Sequence, residues 1–188
     1  KPVLHKIPYK GQTAEDQKWM ERSRGILEVP LKLPNGGKLT AFVAHFPSQQ
    51  NPRYWRAQSI EFAKSLLKDR QNEMVIFGGD LNITSDENEE AGFFNELSKV
   101  GMVSQLVGCN SCDGTHNYKN NWSFLDVLVF SKAFDDKGTA PYRLLKDTIE
   151  VVKFTPNHIY KGSAPKRFNV KNGEGVSDHF PVYARVRR

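Results

Sequence analysis

Residues 74–82, MVIFGGDLN, are the stretch that decides the fold. The apolar residues at 74–77 are typical of a short buried strand, and two glycines end the run. Asp80 and Asn82 follow, and side chains two residues apart in extended backbone lie on the same side. The stretch predicts a central strand whose C-terminal end carries a carboxylate and a carboxamide, although the same pair also suits a helix-capping turn.

Further strands and helices are predicted on both sides of this stretch. The predicted strands are residues 25–33, 38–46, 74–77, 123–131 and 181–187, and the predicted helices are residues 52–69 and 87–99. The Pro-Asn-Gly-Gly turn at 34–37 joins the first two strands as a hairpin. Residues 38–46 are apolar on both faces, as in a strand buried between layers. Residues 1–21 have no clear period, so we expect them to be irregular. Strands interleaved with helices indicate a layered α/β fold with a mixed sheet or two packed sheets.

The composition indicates a single basic domain. The chain has 188 residues, of which 38% are hydrophobic and 26% charged, and this suits one globular domain over residues 1–188. No apolar run approaches the roughly 20 residues that a membrane-spanning helix requires.

The formal net charge is +6, and a basic surface attracts polyanions such as nucleic acid or acidic lipid headgroups. A basic protein without such a partner is the alternative, and we expect a monomer.

Two features bear on the origin of the chain. It opens with Lys-Pro-Val, without an initiator Met or a secretory signal, so we expect a processed protein or a piece of a longer one. Cys109 and Cys112 are spaced C-x-x-C within a loop-like segment. Two cysteines cannot complete the usual four-ligand zinc site, so we predict a disulfide that closes a short loop. Such a disulfide favours a secreted or periplasmic location.

Three further sets of polar residues lie in or beside apolar strands. Asp126 interrupts the apolar run SFLDVLVFS, where a carboxylate without a partner would be costly to bury. It can hold a histidine ring or accept hydrogen bonds from the backbone. Asp178 and His179 precede the last strand. They can act as a metal ligand beside a general acid or base, and the alternative is an exposed polar turn. His45 ends a predicted strand. It is either a site residue or a buried histidine whose ring nitrogens form hydrogen bonds within the protein.

Together these residues resemble a known family. His45 in AHFPS, GGDLN at 78–82, WSFLD at 122–126 and SDHFPV at 177–182 occur in the order and at the spacing of the endonuclease/exonuclease/phosphatase superfamily. The resemblance extends from about Arg24 to the C-terminus. It implies an α/β/β/α sandwich of mixed, largely antiparallel sheets, like that of the pancreatic deoxyribonucleases.

The resemblance also implies a role for each matching residue. Asp80, Asn82 and Asp178 would bind Mg²⁺ or another divalent ion such as Mn²⁺ or Ca²⁺, and Asn82 would hold either this ion or the phosphate. Asp80 would in addition orient the attacking water. His179 would contact the scissile phosphate, and Asp126 would hold its ring in place.

Other residues are expected to assist proton transfer or to contact the substrate. The resemblance implies that His45 assists proton transfer, as a second histidine does in the deoxyribonuclease-like branch. It also implies that Arg24 contacts a phosphate, although an ordinary surface arginine is an equal alternative. Arg56, Tyr118 and Trp122 combine a cation and aromatic rings near the predicted cleft, as suits phosphates and bases. Core packing is the alternative for Trp122.

The chain departs from the family pattern at its front. In the family, strands that carry an Asn and a metal-binding Glu precede the match to Arg24, and this chain begins too late to contain them. We therefore expect a C-terminal portion of the family domain, truncated at the N-terminus. We also expect weak metal binding and reduced activity.

The leading functional hypothesis is a metal-dependent phosphodiester hydrolase that cleaves DNA or RNA as an endonuclease. A metal ion and cationic groups neutralise charge on the phosphoryl oxygens while a base directs water, so no Ser or Cys nucleophile is required. The net charge and His45 favour nucleic acid. The alternatives are an inositol-phosphate phosphatase or sphingomyelinase-like phosphodiesterase of the same superfamily, and an inactive binding module.

Overall fold

The computed structural model describes residues 1–34, 36–107, 114–153, 159–160 and 164–188. Its strands are β1 Val3–His5, β2 Ile26–Lys32, β3 Lys38–His45, β4 Val75–Asp80, β5 Met102–Val103, β6 His116–Tyr118, β7 Asn121–Ser123, β8 Asp126–Phe130, β9 Arg143–Val151, β10 Ile159–Tyr160, β11 Ala164–Pro165 and β12 Val182–Arg187. Its helices are α1 Ala14–Met20, α2 Arg53–Lys68, α3 Ser85–Ala91, α4 Phe93–Ser98 and α5 Ser104–Val107. No helix within these ranges has the length and apolar character of a membrane span. Cys109, Cys112 and the disulfide predicted between them lie outside the described residues.

The main element of the fold is a six-stranded sheet with the strand order β1-β2-β3-β4-β8-β5. The predicted hairpin at residues 34–37 is confirmed, since β2 and β3 pair in antiparallel fashion along their length. β3 and β4 pair in parallel because the 16-residue helix α2 carries the chain back across the sheet. The other pairs of this sheet are antiparallel, so the predicted mixed, largely antiparallel arrangement is also confirmed.

Each face of this sheet covers a separate apolar core. On one face, α2 and α4 bury the first core against β3 and β4, and Phe42, Phe77 and Leu97 are almost fully enclosed. On the other face, Phe130 and Leu144 belong to a second core shared with β9 and β12, which form a two-stranded antiparallel sheet. Each such side chain stabilises the fold by roughly 1.5–3 kcal/mol. Helices, sheet and second sheet are thus stacked, which confirms the predicted layered α/β fold.

The N-terminal part differs from the prediction that residues 1–21 are irregular. β1 extends the edge of the sheet by pairing with β2, and α1 spans seven residues. Thr13 caps α1, because its hydroxyl accepts a hydrogen bond from the Asp16 N–H at 3.0 Å. Met20 then packs in the first core. The Thr-Ala-Glu-Asp stretch contains this capping signal, but α1 is too short to display a helical period over several turns.

Other differences concern the boundaries and burial of elements. The predicted helix at 87–99 is two helices, α3 and α4, because Gly92 adopts a left-handed conformation with φ 66° between them. The predicted strand at 123–131 begins only at Asp126, as β8. β3 is buried on one face and not on both, since Val43 on the other face is 52% exposed.

Gly79 allows β3 and β4 to approach each other closely at the end of the sheet. Its φ of 140° is one that L side chains rarely adopt, and a Cβ at this position would lie 1.9 Å from the Ala44 carbonyl oxygen. Only a residue without a side chain fits here, and Asp80 follows directly. The glycine before this carboxylate is therefore a condition for the parallel pairing.

We expect Gly79→Ala to lower the free energy of unfolding by more than the roughly 1–3 kcal/mol that a strained backbone conformation costs, because the new Cβ also collides with β3. Urea denaturation followed by circular dichroism measures this change. Gly36→Ala is the matched control, since Gly36 also has positive φ, at 82°, but no atom within 4 Å of an added Cβ. Equal losses in the two variants would contradict the steric role of Gly79.

Candidate active site

The strand register places three of the predicted site residues in one row at the end of the main sheet. His45 pairs with Asp80 across β3 and β4, and Asp80 pairs with Asp126 across β4 and β8. Side chains of residues directly opposite each other lie on the same face of a sheet. His45 Nε2 is 3.5 Å from Asp80 Oδ2. By alternation along β8 this face is also that of Phe130, which belongs to the core shared with the second sheet.

His179 joins this row from the loop before β12. Its Nδ1 is 2.7 Å from Asp126 Oδ2, and its Nε2 is 4.0 Å from Asp80 Oδ2. A carboxylate on Nδ1 fixes the tautomer and the orientation of an imidazole ring. Asp80 therefore lies between the imidazoles of His45 and His179, and Asp126 supports the second of them.

Thr115, which the sequence does not single out, connects the strand of Asp126 to the loop of His179. Its buried hydroxyl accepts hydrogen bonds from the Leu125 N–H at 3.1 Å and the Asp126 N–H at 3.2 Å. Its carbonyl accepts a hydrogen bond from the Phe180 N–H at 2.8 Å. One residue thus fixes the backbone on both sides of the contact between Asp126 and His179. Nothing in the sequence distinguishes it from an ordinary loop threonine.

Asn82 is almost fully buried at the base of the site, with its backbone in a left-handed conformation at φ 52°. Its N–H donates to Asp80 Oδ1 at 2.9 Å, and its Nδ2 donates to the Phe46 carbonyl at 3.0 Å. Asn adopts this conformation more readily than most residues because its short polar side chain can bond locally. The turn fixes the Asp80 carboxylate and the Asn82 carboxamide at the same time.

A groove of about 1140 Å³ opens beside these residues, and Asn82, Asp178 and His179 line it. The Asp178 side chain is 51% exposed and lies 3.8 Å from Arg167 Nε. Tyr118 and Trp122 form part of the wall. The groove also contains neutral polar side chains, namely Ser48, Gln49, Gln50, Thr84, Ser85, Asn120, Asn121 and Ser123. It is therefore a polar groove with two aromatic rings at one side.

The structure places the two predicted substrate arginines in different environments. Arg56 is 3% exposed, and its guanidinium donates to the Glu87 carboxylate and to the Ser48 carbonyl. This buried guanidinium does not reach the groove surface, so the expectation that Arg56 contacts substrate is corrected: it holds the loop after β3 against α3. Arg24 is exposed and lines a second, smaller groove beside His45.

His116 is another groove residue that the sequence does not reveal. Its ring centroid is 4.8 Å from that of His179, and its side chain lines the groove. Burial lowers the pKa of His116, and the positive charge on His179 lowers it further. The neutral form of His116 is therefore favoured beside a charged His179. His116 lies outside the strands and helices predicted from the sequence, and no pattern around it indicates a site.

The site shifts the pKa values of its two central groups. Burial raises the pKa of the Asp80 carboxyl, and the Asn82 N–H and the two histidines only partly oppose this effect. Burial lowers the pKa of His179, but the hydrogen bond and charge of Asp126, with the charges of Asp80 and Asp178, outweigh it and raise that pKa above its ordinary 6.5. The site thus combines a more basic carboxylate with an imidazole that is readily protonated.

The oxygen donors of the groove fit a divalent ion that keeps part of its water shell. Asp178 offers an exposed carboxylate and Asn82 a carboxamide, and both line the groove. Asp80, the third predicted ligand, faces the two histidines. Within the described residues, no group of three or more His, Cys, Asp or Glu side chains is arranged to hold a metal. Since Mg²⁺ commonly binds through one or two carboxylates and substrate phosphates, the donor set suits Mg²⁺.

Comparison with known proteins identifies the family. A sequence model of the Endonuclease/Exonuclease/phosphatase family matches residues 5–188. The chain belongs to this family. The resemblance found in the sequence is thereby confirmed, and members of the family are hydrolases that act on phosphoester bonds. No curated protein sequence matches the chain significantly.

Several solved structures share the fold of this family member. TDP2 of D. rerio, complexed with a single-strand DNA product, is 16% identical with a TM-score of 0.58, and the match covers 100% of this chain and 67% of that one. A mannosyl-6-phosphatase of Bacteroides thetaiotaomicron VPI-5482 is 16% identical with a TM-score of 0.53, covering 87% and 55%. A beta toxin mutant of Staphylococcus aureus with bound magnesium ions is 18% identical with a TM-score of 0.54, covering 85% and 56%. The chain thus spans between about half and two thirds of these proteins, and the likeness establishes the fold.

We expect Thr115→Val to destabilise the protein by roughly 1–3 kcal/mol for each backbone N–H left without an acceptor. The isosteric valine removes the hydroxyl that accepts hydrogen bonds from the N–H groups of Leu125 and Asp126. It leaves the volume of the side chain nearly unchanged. Urea denaturation measures the loss. Thr115→Ser keeps the hydroxyl and should recover most of the stability, so equal destabilisation by the two variants would refute the hydrogen-bonding role.

Replacing Asp126 with Asn should lower the pKa of His179, because Asp126 supplies the hydrogen bond and charge that outweigh burial. In the wild type the pKa of folded His179 is raised, so the protonated ring stabilises the fold below about pH 6.5, and this contribution disappears as the pH rises through the folded-state pKa. Titration of the imidazole by NMR measures the shift. An unchanged pKa in Asp126→Asn would show that the carboxylate does not control the ring.

Proposed function

We propose that this chain is a phosphodiester hydrolase that uses a metal-assisted attack of water and cleaves DNA or RNA. The observation that carries the proposal is the position of Asp80 between the imidazoles of His45 and His179, beside a polar groove. A carboxylate in this position can direct a water towards a phosphorus atom. The imidazoles on either side can then donate hydrogen bonds or protons to the oxygens on which negative charge develops.

The residues of the site have separate tasks in this reaction. Asp80 accepts the proton of the attacking water, and its raised pKa makes it a stronger base than an ordinary Asp. Protonated His179 donates to a phosphoryl oxygen, and Asp126 stabilises its positive charge at 2.7 Å. His45, at 3.5 Å from Asp80, assists the transfer of a proton to the leaving oxygen. The O–P bond to the leaving group breaks as the bond to the water oxygen forms.

Asp178 and Asn82 would hold the divalent ion at the groove. When bound, the ion supplies positive charge that stabilises the phosphoryl oxygens. The Asn82 carboxamide is already held by its hydrogen bond to the Phe46 carbonyl, so its oxygen needs no large rearrangement to act as a ligand. The beta toxin that shares this fold contains bound magnesium ions, which supports Mg²⁺ as the ion here.

Nucleic acid is favoured as the substrate by charge and by the aromatic side of the groove. The chain has a net charge of +6. Lys119 Nζ lies 5.2 Å from the ring centroid of Tyr118, and Lys153 Nζ lies 5.4 Å from that of Trp122. Aromatic faces beside cations suit bases and phosphates. TDP2, which shares the fold, is complexed with a single-strand DNA product.

A sugar or inositol phosphate is the second candidate substrate, and the polar side of the groove favours it. Gln49, Gln50, Thr84 and Ser85 present carboxamides and hydroxyls, which can donate to and accept from the hydroxyls of a sugar. A mannosyl-6-phosphatase shares the fold. The same Asp80 would direct water in both cases, so the choice between the substrates depends on the walls of the groove.

Hydrolysis assays with residues 1–188 test the proposal. We expect cleavage of a single-stranded oligonucleotide in Mg²⁺ and its loss in EDTA, because the charge of the ion stabilises the phosphoryl oxygens. His179→Ala should lower kcat/KM by about 10²–10⁴-fold, the range of a positioned acid or base. Parallel reactions with inositol phosphate and with sphingomyelin test the second candidate substrate and the lipid alternative.

His5→Gln is the matched control, since His5 bonds to Glu28 at 2.8 Å on the edge of the sheet, away from the groove. It should leave kcat/KM within about twofold of wild type. Cleavage that persists in EDTA, or an equal loss in His5→Gln and His179→Ala, would contradict the mechanism. Binding of the oligonucleotide without cleavage of any substrate would instead indicate a binding module.

A further inference from the structure

A second groove, of about 510 Å³, adjoins the candidate active site. Ser48 lines both grooves, and His45 lines the second while its ring lies 3.5 Å from Asp80. The second groove is therefore reached from the reaction centre by passing His45. A substrate that extends beyond the scissile phosphate on this side would enter it.

One side of this second groove has two arginines without acidic partners. Arg22 and Arg24 are exposed and line it, and neither forms an ion pair with a carboxylate of the described residues. By contrast, Arg53 pairs with Glu90 and Arg70 with Glu28. A guanidinium matches the oxygens of a phosphate geometrically and is always charged. The groove therefore offers two available anion-binding groups.

The same groove contains an exposed aromatic ring. Trp19, at the end of α1, is 56% exposed, and the Arg22 guanidinium lies 5.4 Å from its ring centroid. Trp55 is a buried part of the wall, and its Nε1–H has no acceptor among the described residues. Cations and an exposed indole thus occur together.

We propose that this second groove binds the nucleotide next to the scissile phosphodiester, with Arg22 and Arg24 holding its phosphate and Trp19 stacking on its base. The inference rests on the proposed function, since it requires a nucleic-acid strand in the first groove. Arg22, Arg24 and Trp19 line this groove next to His45. A positively charged groove with an aromatic side chain suits a single nucleic-acid strand.

Binding of a fluorescein-labelled single-stranded oligonucleotide of about eight nucleotides, followed by anisotropy in EDTA, tests the proposal without hydrolysis. Trp19→Ala should weaken binding about tenfold, as expected for one lost base stack. Arg22→Gln and Arg24→Gln should each reduce the slope of log affinity against log salt, and the double variant should reduce it by about 0.7, the value for one phosphate contact to a single strand.

Arg185→Gln is the matched control, because Arg185 also lies over an aromatic ring, at 5.7 Å from Tyr183 on β12, outside both grooves. This variant removes the same charge. We expect it to change the affinity by less than about twofold and to leave the salt slope without the loss expected for a phosphate contact. Equal effects of Arg22→Gln and Arg185→Gln would overturn the proposal. Urea denaturation of each variant verifies that the fold is intact.

Two further outcomes separate this inference from the proposed function. If the wild type cleaves nucleic acid but Trp19→Ala and the arginine variants bind it normally, the second groove is not a subsite, although the function stands. If the oligonucleotide binds with the predicted losses but is never cleaved, the subsite stands and the hydrolase assignment fails. Binding of phosphatidylserine vesicles that depends on Trp19, without an effect on the oligonucleotide, would make this surface a membrane contact and overturn the inference.

Discussion

The site depends on the register of three neighbouring strands. β3, β4 and β8 pair so that His45, Asp80 and Asp126 stand directly across from one another at one end of the sheet. The backbone hydrogen bonds of the sheet fix these positions, and a slip by one residue would turn every side chain to the other face. Gly79 makes this pairing possible, because a Cβ at this position would collide with the Ala44 carbonyl oxygen of β3.

The second half of the site comes from a loop, and a small number of polar contacts hold it in place. His179 precedes β12 of the second sheet and reaches Asp126 of the first sheet at 2.7 Å. Thr115 bonds the backbone on both sides of this contact. The orientation of the imidazole therefore depends on how the two sheets pack around the second core. This dependence couples the stability of the fold to the geometry of the candidate site.

Local patterns predict the elements on which the site is built, and they fail where the signal is short or distant. The hairpin at residues 34–37 and the helix α2 follow from turn residues and a 3.6-residue period, which adjacent residues carry. α1 has too few turns to show that period. Thr115 gives no signal at all, because its role depends on Asp126 and Phe180, which become its neighbours only in the folded chain.

The sequence by itself determined the family and the layered α/β class, and it singled out Asp80, Asp126 and His179 as candidates, because strand ends and short motifs are encoded in consecutive residues. Only the tertiary structure decided that Asp80 faces two imidazoles and that Arg56 is buried against Glu87. These contacts join residues that are far apart in the chain. Burial and hydrogen bonding are set by packing of the whole domain, and local periodicity carries no information about them.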